Sequence, residues 1–186
     1  MRRPAEPRRN IIGPLDPQKH DRAAFSCGVD QVDNFFKKTA NKLVNADNLR
    51  VFVMTTPIGD VIGFYALNAH AVDYRDLPDR FARTRPGLGS IPAAFISMIG
   101  VDLRHQRAGY GGDLLVDALT RIARAAESVG IAVVLLDVLD DGIPGNVARR
   151  KALYESYGFA PLPSRPLRLF LPLATVRRLL DTPPPI

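Results

Sequence analysis

The sequence predicts an α/β protein in which one sheet of mixed direction packs against helices. Three observations lead there. Strand-like apolar runs alternate with stretches whose apolar residues recur every three or four positions. The turn Pro57-Ile58-Gly59-Asp60 joins two neighbouring strand-like runs as a hairpin, so part of the sheet is antiparallel. Residues 131–138 are so apolar that both faces of that strand must be covered. A length of 186 residues suits one domain with a proper core and is too short for two. Residues 10–186 show no internal repeat and no boundary, and are expected to form that single domain.

Taken in order, residues 1–9 hold four Arg and two Pro without periodicity and read as a flexible basic tail. A short strand begins near Ile11-Ile12. From 30 to about 45 the spacing of Val32, Phe35, Phe36, Ala40 and Leu43 predicts a helix. Asp30 is placed to cap it and Asp33 to put negative charge in its first turn. Strands follow at about 49–56 and 61–68. Residues 72–92 combine Pro78, Pro86 and Pro92 with Arg75, Arg80, Arg83 and Arg85, which reads as a short helix and an exposed basic loop. The apolar strand 95–101 then leads through a loop at 104–112 into a helix. That helix is expected to bury Leu115, Ala118, Leu119, Ile122, Ala126 and Val129. Its other face carries Asp113, Asp117, Arg121 and Glu127, with Asp117 and Arg121 paired. Gly130 ends it. The strand 131–138, a helix over about 145–157 and a last strand near 167–171 complete the pattern.

Composition narrows the function classes. With 46% hydrophobic and 24% charged residues the chain reads as globular. No apolar run approaches the roughly 18 residues that cross a bilayer. Met1-Arg2-Arg3-Pro4 is basic but leads into no apolar stretch, so the expected compartment is the cytoplasm and no membrane partner is expected. The net charge is +6, and 20 of the 25 basic residues are Arg, whose rigid fork of donors suits phosphates. Genome composition accounts for high Arg and Pro usage equally well. The single cysteine, Cys27, has no base near it in sequence and reads as a small buried thiol. No metal-ligand spacing occurs. His20 and His70 lack acid partners nearby in sequence and His105 lies in the loop, so none stands out as a base.

The most informative segment is the loop Gln106-Arg107-Ala108-Gly109-Tyr110-Gly111, between a strand and a helix. A helix start exposes N–H groups without intrahelical partners and a partial positive charge, and small residues let phosphate oxygens reach the backbone. Gln106 can add an amide donor. The spacing Q-x-x-G-x-G lacks the third glycine of the dinucleotide fingerprint and the Gly-Lys-Ser/Thr of the Walker loop.

The stretch from Val101 to Gly111 resembles the acetyl-CoA motif of the GNAT acetyltransferase superfamily. Further on, Ala152-Leu153-Tyr154-Glu155-Ser156-Tyr157-Gly158-Phe159 resembles its Y-x-x-x-G-F signature. The resemblance implies a mixed, mostly antiparallel sheet with a splayed pair of strands that admits the pantetheine arm, and acetyl-CoA as co-substrate. It implies cofactor contacts from main-chain groups of Ile99, Gly100 and Val101 and from the loop Gln106, Arg107, Ala108, Gly109, Tyr110, Gly111 and Gly112. Tyr154 matches the family tyrosine near the thioester sulfur, a general acid for the departing thiolate. Finally, Phe25-Ser26-Cys27-Gly28-Val29-Asp30-Gln31-Val32-Asp33-Asn34-Phe35-Phe36 resembles the opening of the toxin branch of that superfamily. That branch acetylates the α-amino group of aminoacyl-tRNA, is silenced by a small ribbon-helix-helix antitoxin, and commonly forms homodimers. Arg75, Arg83, Arg85, Arg149 and Arg150 are then the candidate tRNA contacts. The run Arg149-Arg150-Lys151 departs from the small residues usual in that branch, and a solvated helix face explains it as well. A GNAT enzyme acting on a small amine or a protein N-terminus remains the alternative.

Overall fold

The computed structural model describes residues 10–84, 86–87 and 89–181. The expected 1–9 tail and Arg85 lie outside the described residues. Seven strands form one sheet in the order β1-β2-β3-β4-β5-β7-β6. They are β1 Ile11–Pro14, β2 Arg50–Thr55, β3 Val61–Asp73, β4 Ser90–Val101, β5 Val133–Asp137, β6 Ala160–Leu162 and β7 Arg165–Pro172. The helices are α1 Asp30–Asn34, α2 Ala40–Asn45, α3 Tyr110–Ala125, α4 Pro144–Ser156 and α5 Leu173–Asp181. Pairs β1/β2, β5/β7 and β6/β7 are antiparallel, whereas β4 and β5 run parallel, joined through α3 as a parallel pair requires. The sheet is therefore mixed, as expected.

Contacts gather into two compact units. One holds the described residues up to Ala66 with Met98–Leu115; the other holds Leu67–Ser97 with the described residues from Val116 onward. β3, β4 and α3 each contribute to both, so neither unit is one continuous segment.

The first unit is built on phenylalanines. Phe36 stacks on Phe64 with centroids 4.1 Å apart, and Phe25 meets Phe36 edge-on at 4.9 Å. Both Phe35 and Phe36 are buried, although consecutive α-helical residues point about 100° apart. The chain accommodates them with a π-helical turn, Phe35–Thr39, in which the Ala40 N–H reaches back to the Phe35 carbonyl. The continuous helix expected over 30–45 is thus α1, a π turn and α2. The expected cap is also corrected. Val29, extended and without a side-chain cap bond, precedes the helix, and Asp30 is its first residue.

The second unit buries Val72, Leu77, Ile91, Ala93, Val133, Leu135, Leu162 and Phe170 together. Here β4 begins at Ser90, inside the stretch expected to be a loop, and the Pro92 carbonyl accepts the Ala132 N–H at 2.9 Å. The basic stretch before it forms two short 3-10 turns, Tyr74–Asp76 and Asp79–Ala82. α3 stops at Ala125. Ala126 is only half-buried and Val129 is 60% exposed, against the expected burial of both, because the chain there turns through the Glu127 and Ser128 N–H bonds. α5 was not expected, since it follows β7 with no intervening turn residue. Its Leu173 and Val176 are buried, and the Leu173 N–H bonds the Ala132 carbonyl.

Gly63 is the tightest glycine of the first unit. A Cβ there would stand 2.6 Å from the Gly100 carbonyl oxygen and 2.9 Å from Leu114 Cδ1. Since the oxygen belongs to a strand, it cannot swing aside as a flexible side chain would. Gly63→Ala is expected to cost about 1–3 kcal/mol, the usual range for overpacking. Chemical denaturation measures this, and an unchanged midpoint would mean that the strands part there freely.

Candidate functional site

The loop after β4 owes its shape to two left-handed residues. Arg107 has φ 65° and Gly109 φ 87°. No atom lies within 4 Å of a Cβ built on Gly109, so backbone conformation, not crowding, selects glycine there. The Gly109 carbonyl accepts from the N–H groups of Gly112 and Asp113 at 3.0 and 3.2 Å, which sets Gly109 immediately before the first turn of α3. Gly111 and Gly112 lie in that turn. Sixteen residues of aligned peptide dipoles follow, so the start of α3 beside Gly109 carries a partial positive charge. That makes it a candidate anion site.

Gln106 does not complete it as expected. Its Nε2 donates to the carbonyls of Cys27 and Val101, each at 3.0 Å. An amide nitrogen has two hydrogens, and both are engaged. Gln106 is therefore a brace that ties the loop to the 25–28 segment, rather than a donor free for phosphate.

Sequence reasoning missed the residues that hold the other end of this brace. Asp33 and Asp102 are the buried charged side chains among the described residues, at 9% and 2% exposure. Asp33 accepts from the Cys27 N–H and the Ser26 hydroxyl, both at 2.8 Å. Asp102 accepts from the Ser26 N–H at 3.1 Å, from the Arg104 N–H at 2.9 Å, and from the Arg104 guanidinium at 2.8 and 3.1 Å. Burial opposes the charge on Asp102, yet the Arg104 and Ser26 hydrogen bonds hold its carboxyl below the usual carboxylate value. The Leu103 N–H closes the set on the Ser26 carbonyl at 2.8 Å. Cys27 itself is a poor nucleophile. Burial, first, and the neighbouring Asp33 push its thiol up to about 12. A signal existed in the sequence: Asp33 and Cys27 fall within one motif, and Asp102 is the second residue of the other.

Ile99, Gly100 and Val101 end β4 in the same unit. The pairing of β4 with β5 stops at Ile96↔Leu136, although β4 itself continues to Val101. The Val101 carbonyl receives Gln106, and Gly100 packs where a Cβ would meet Val32 at 2.9 Å.

Tyr154 belongs to the second unit, on α4, which starts at Pro144 in the position where a missing N–H costs nothing. It is 6% exposed, and Phe159 meets its ring edge-on at 6.3 Å. Burial pushes the phenol up to about 12, with the positive charge of Arg150 working the other way. The phenol therefore keeps its proton throughout the neutral range.

The candidate tRNA contacts divide. Arg83 and Arg149 are exposed, the latter donating to Asn146 Oδ1 at 2.6 Å. Arg75 is exposed and paired with Asp73 at 2.6 Å. Arg150 turns inward: Nη2 bonds Asp141 Oδ2 at 2.9 Å and Nη1 the Leu139 carbonyl at 3.0 Å. A guanidinium so engaged is not offered to phosphates. Among the histidines, His20 accepts from the Asp16 N–H through Nδ1, and burial lowers its pKa. The His70 ring lies 5.2 Å from that of Phe95. Among the described residues no group of His, Cys, Asp or Glu is arranged to hold a metal ion, and no helix is long and apolar enough to cross a membrane.

If Gln106 acts by bracing the loop, Gln106→Met and Asp33→Ala loosen one structure from two sides. Each is expected to weaken acetyl-CoA binding about tenfold, and the double variant little more than the weaker single. Titration calorimetry measures all three. Additive losses would instead mean that Gln106 contacts the ligand independently of Asp33.

No family model matches the chain. Two relatives do. A probable toxin TacT of Sinorhizobium fredii is 66% identical over 173 residues, covering 92% of this chain and 96% of its own. A tRNA-acetylating toxin of Mycobacterium tuberculosis is 33% identical over 160 residues, covering 86% and 90%. Among solved structures, AtaT complexed with acetyl-methionyl-tRNAfMet shares the fold with a TM-score of 0.80 at 22% identity, over 93% of this chain and 100% of that one. A mutant AtaT bound to the C-terminus of the antitoxin AtaR and acetyl-CoA gives 0.75 at 20% identity, over 94% and 99%. The chain belongs to the TacT family of tRNA-acetylating toxins, a toxin branch of the GNAT acetyltransferases.

Proposed function

We propose that this protein moves the acetyl group of acetyl-CoA to the α-amino group of aminoacyl-tRNA and thereby halts translation, as the toxin of a toxin–antitoxin pair. The observation that carries the reading is its kinship with the tRNA-acetylating toxin of M. tuberculosis over most of both chains. The local structure supports it with a phosphate-ready loop and a protonated phenol. Residues 10–186 act as one acetyltransferase in the cytoplasm. By analogy with AtaT and AtaR, a small antitoxin silences it; a ribbon-helix-helix form for that partner and a homodimer of this chain complete the proposal.

In this reading the first turn of α3 and the loop from Gln106 to Gly112 take the pyrophosphate. Main-chain groups of Ile99, Gly100 and Val101 take the pantetheine arm and the thioester carbonyl, at the part of β4 that has left its pairing with β5. Tyr154 protonates the departing thiolate. A strong base is unnecessary, because an α-amino group, with a pKa of about 7.7–8.0 against about 10.4 for a lysine, is neutral in a usable fraction near pH 7. Positioning then supplies most of the rate. Arg83 and Arg149, the exposed candidates, meet tRNA phosphates, and Arg75 joins them by exchanging its surface partner Asp73.

Tyr154→Phe keeps the ring that packs on Phe159 and removes only the acid. Single-turnover acetylation of bulk aminoacyl-tRNA is expected to slow on the order of 10²-fold with little change in thermal stability. A wild-type rate would place the proton elsewhere. In a reconstituted translation reaction, inhibition should require acetyl-CoA and be lost in the same variant; inhibition without the cofactor would indicate a toxin that acts by binding.

The surface assignment is tested by salt. Replacing Arg83 and Arg149 with Ala is expected to flatten the dependence of log affinity for aminoacyl-tRNA on log salt, by about 0.7 for each single-strand phosphate that is no longer neutralised. Acetyl-CoA affinity should stay the same. An unaltered slope would move the tRNA site elsewhere and favour a smaller amine as acceptor.

A further inference from the structure

The charged run before Tyr154 separates by geometry. Residues 150 and 154 are one helical turn apart on α4, so they share a face with Cβ atoms about 5–6 Å apart. Helical side chains lean toward the N-terminus, which carries the Tyr154 ring over the turn that holds Arg150. Arg150 cannot wander from there. Asp141 and the Leu139 carbonyl grip its two terminal nitrogens, and Asp141 is fixed in turn by the Asn146 amide at 2.9 Å and the Ile143 N–H at 3.1 Å. The pair is half-withdrawn from water, with side-chain exposures of 25% for Arg150 and 14% for Asp141.

We propose that Arg150 is a positioning residue for Tyr154, a positive charge fixed one turn before the phenol that stabilises the phenolate formed as the thiolate leaves. The proposal rests on Tyr154 being the general acid. The amine nitrogen attacks the thioester carbonyl carbon, the new C–N bond forms, and the C–S bond breaks with its electron pair on sulfur. The phenol proton passes to that sulfur; the nitrogen gives its extra proton to water, and the phenolate recovers one from solvent.

Chemistry makes such a charge useful. A thiol has a pKa of about 8.5, whereas burial holds this phenol at about 12, so proton transfer to the thiolate runs uphill. A cation beside the phenolate reduces that slope. Arg150 is the charged group whose field acts on Tyr154 among the described residues. Asp141 offsets part of its charge but is also what keeps it in place. Arg149, one position away, bonds Asn146 instead and lies exposed.

The test is a double-mutant cycle read in single-turnover acetylation of bulk aminoacyl-tRNA. Arg150→Gln is expected to slow the reaction about tenfold, the worth of one pKa unit. Arg150→Lys, which keeps the charge, should recover to within about threefold of wild type. In a Tyr154→Phe background Arg150→Gln should change nothing further, because the phenol it serves is gone. Acetyl-CoA affinity and the salt dependence of tRNA binding should stay at wild-type values. If leaving Asp141 unpaired destabilises Arg150→Gln, the double variant Arg150→Gln with Asp141→Asn removes both charges together and carries the same measurement. An equal loss in the Tyr154→Phe background, a wild-type rate for Arg150→Gln, or a loss seen only as weaker, less salt-sensitive tRNA binding each overturns this proposal and leaves Tyr154 as the acid. A wild-type rate for Tyr154→Phe alone removes the acid assignment, and this proposal with it.

Discussion

Two buried carboxylates, Asp33 and Asp102, tie the 25–28 segment to its neighbours, Asp33 to α1 and Asp102 to the start of the loop before α3. A carboxylate withdrawn from water costs several kcal/mol unless hydrogen bonds replace its hydration. Here Asp33 takes its donors from Ser26 and Cys27, and Asp102 takes its donors from Ser26 and Arg104, so Ser26 is held between the two carboxylates. The cost of burial thus becomes a constraint on geometry. Gln106 extends it by joining the Cys27 and Val101 carbonyls, and left-handed residues at Arg107 and Gly109 follow. Phe25 anchors the same segment in the aromatic cluster with Phe36 and Phe64.

The second unit uses burial differently. Around Tyr154, which packs against Phe159, burial raises the phenol and Arg150 opposes the rise. A group that must carry a proton at neutral pH gains from such surroundings, since the neutral form is the one they favour. The same helix carries its charges on a tether. Asp141 is held well below the usual carboxylate range, at about 2, by the Arg150 side chain first and by Asn146, so the ion pair persists through the neutral range. One basic run of three residues therefore serves separate purposes: Arg149 reaches solvent, Arg150 turns inward, and Lys151 approaches Glu155 at 3.8 Å.

Local chemistry was legible in the sequence wherever a short segment determines its own conformation. The hairpin turn ends as expected, with Gly59 at φ 99°, the buried strand is β5, and the glycine loop opens α3. Those features depend on spacing, turn residues and apolar runs, which are properties of neighbours along the chain. The family resemblance was legible for the same reason, because both of its motifs are short and contiguous. Other features were not. Val129 has the periodicity of a core residue and yet faces water, since where α3 ends is decided by the turn that follows it. Phe35 and Phe36, in the π turn, both stack on Phe64, which is distant in sequence.

By itself, then, the sequence determined the alternation of strands and helices and the glycine loop that opens α3, because backbone preferences and side-chain periodicity act over a few residues. Only the tertiary structure decided what each polar side chain does. Gln106, Asp33 and Asp102 became a brace, and Arg150 became a partner of Asp141 instead of an exposed cation. A hydrogen bond is chosen by which donors and acceptors meet when water is removed, and that choice is made between segments the sequence keeps far apart.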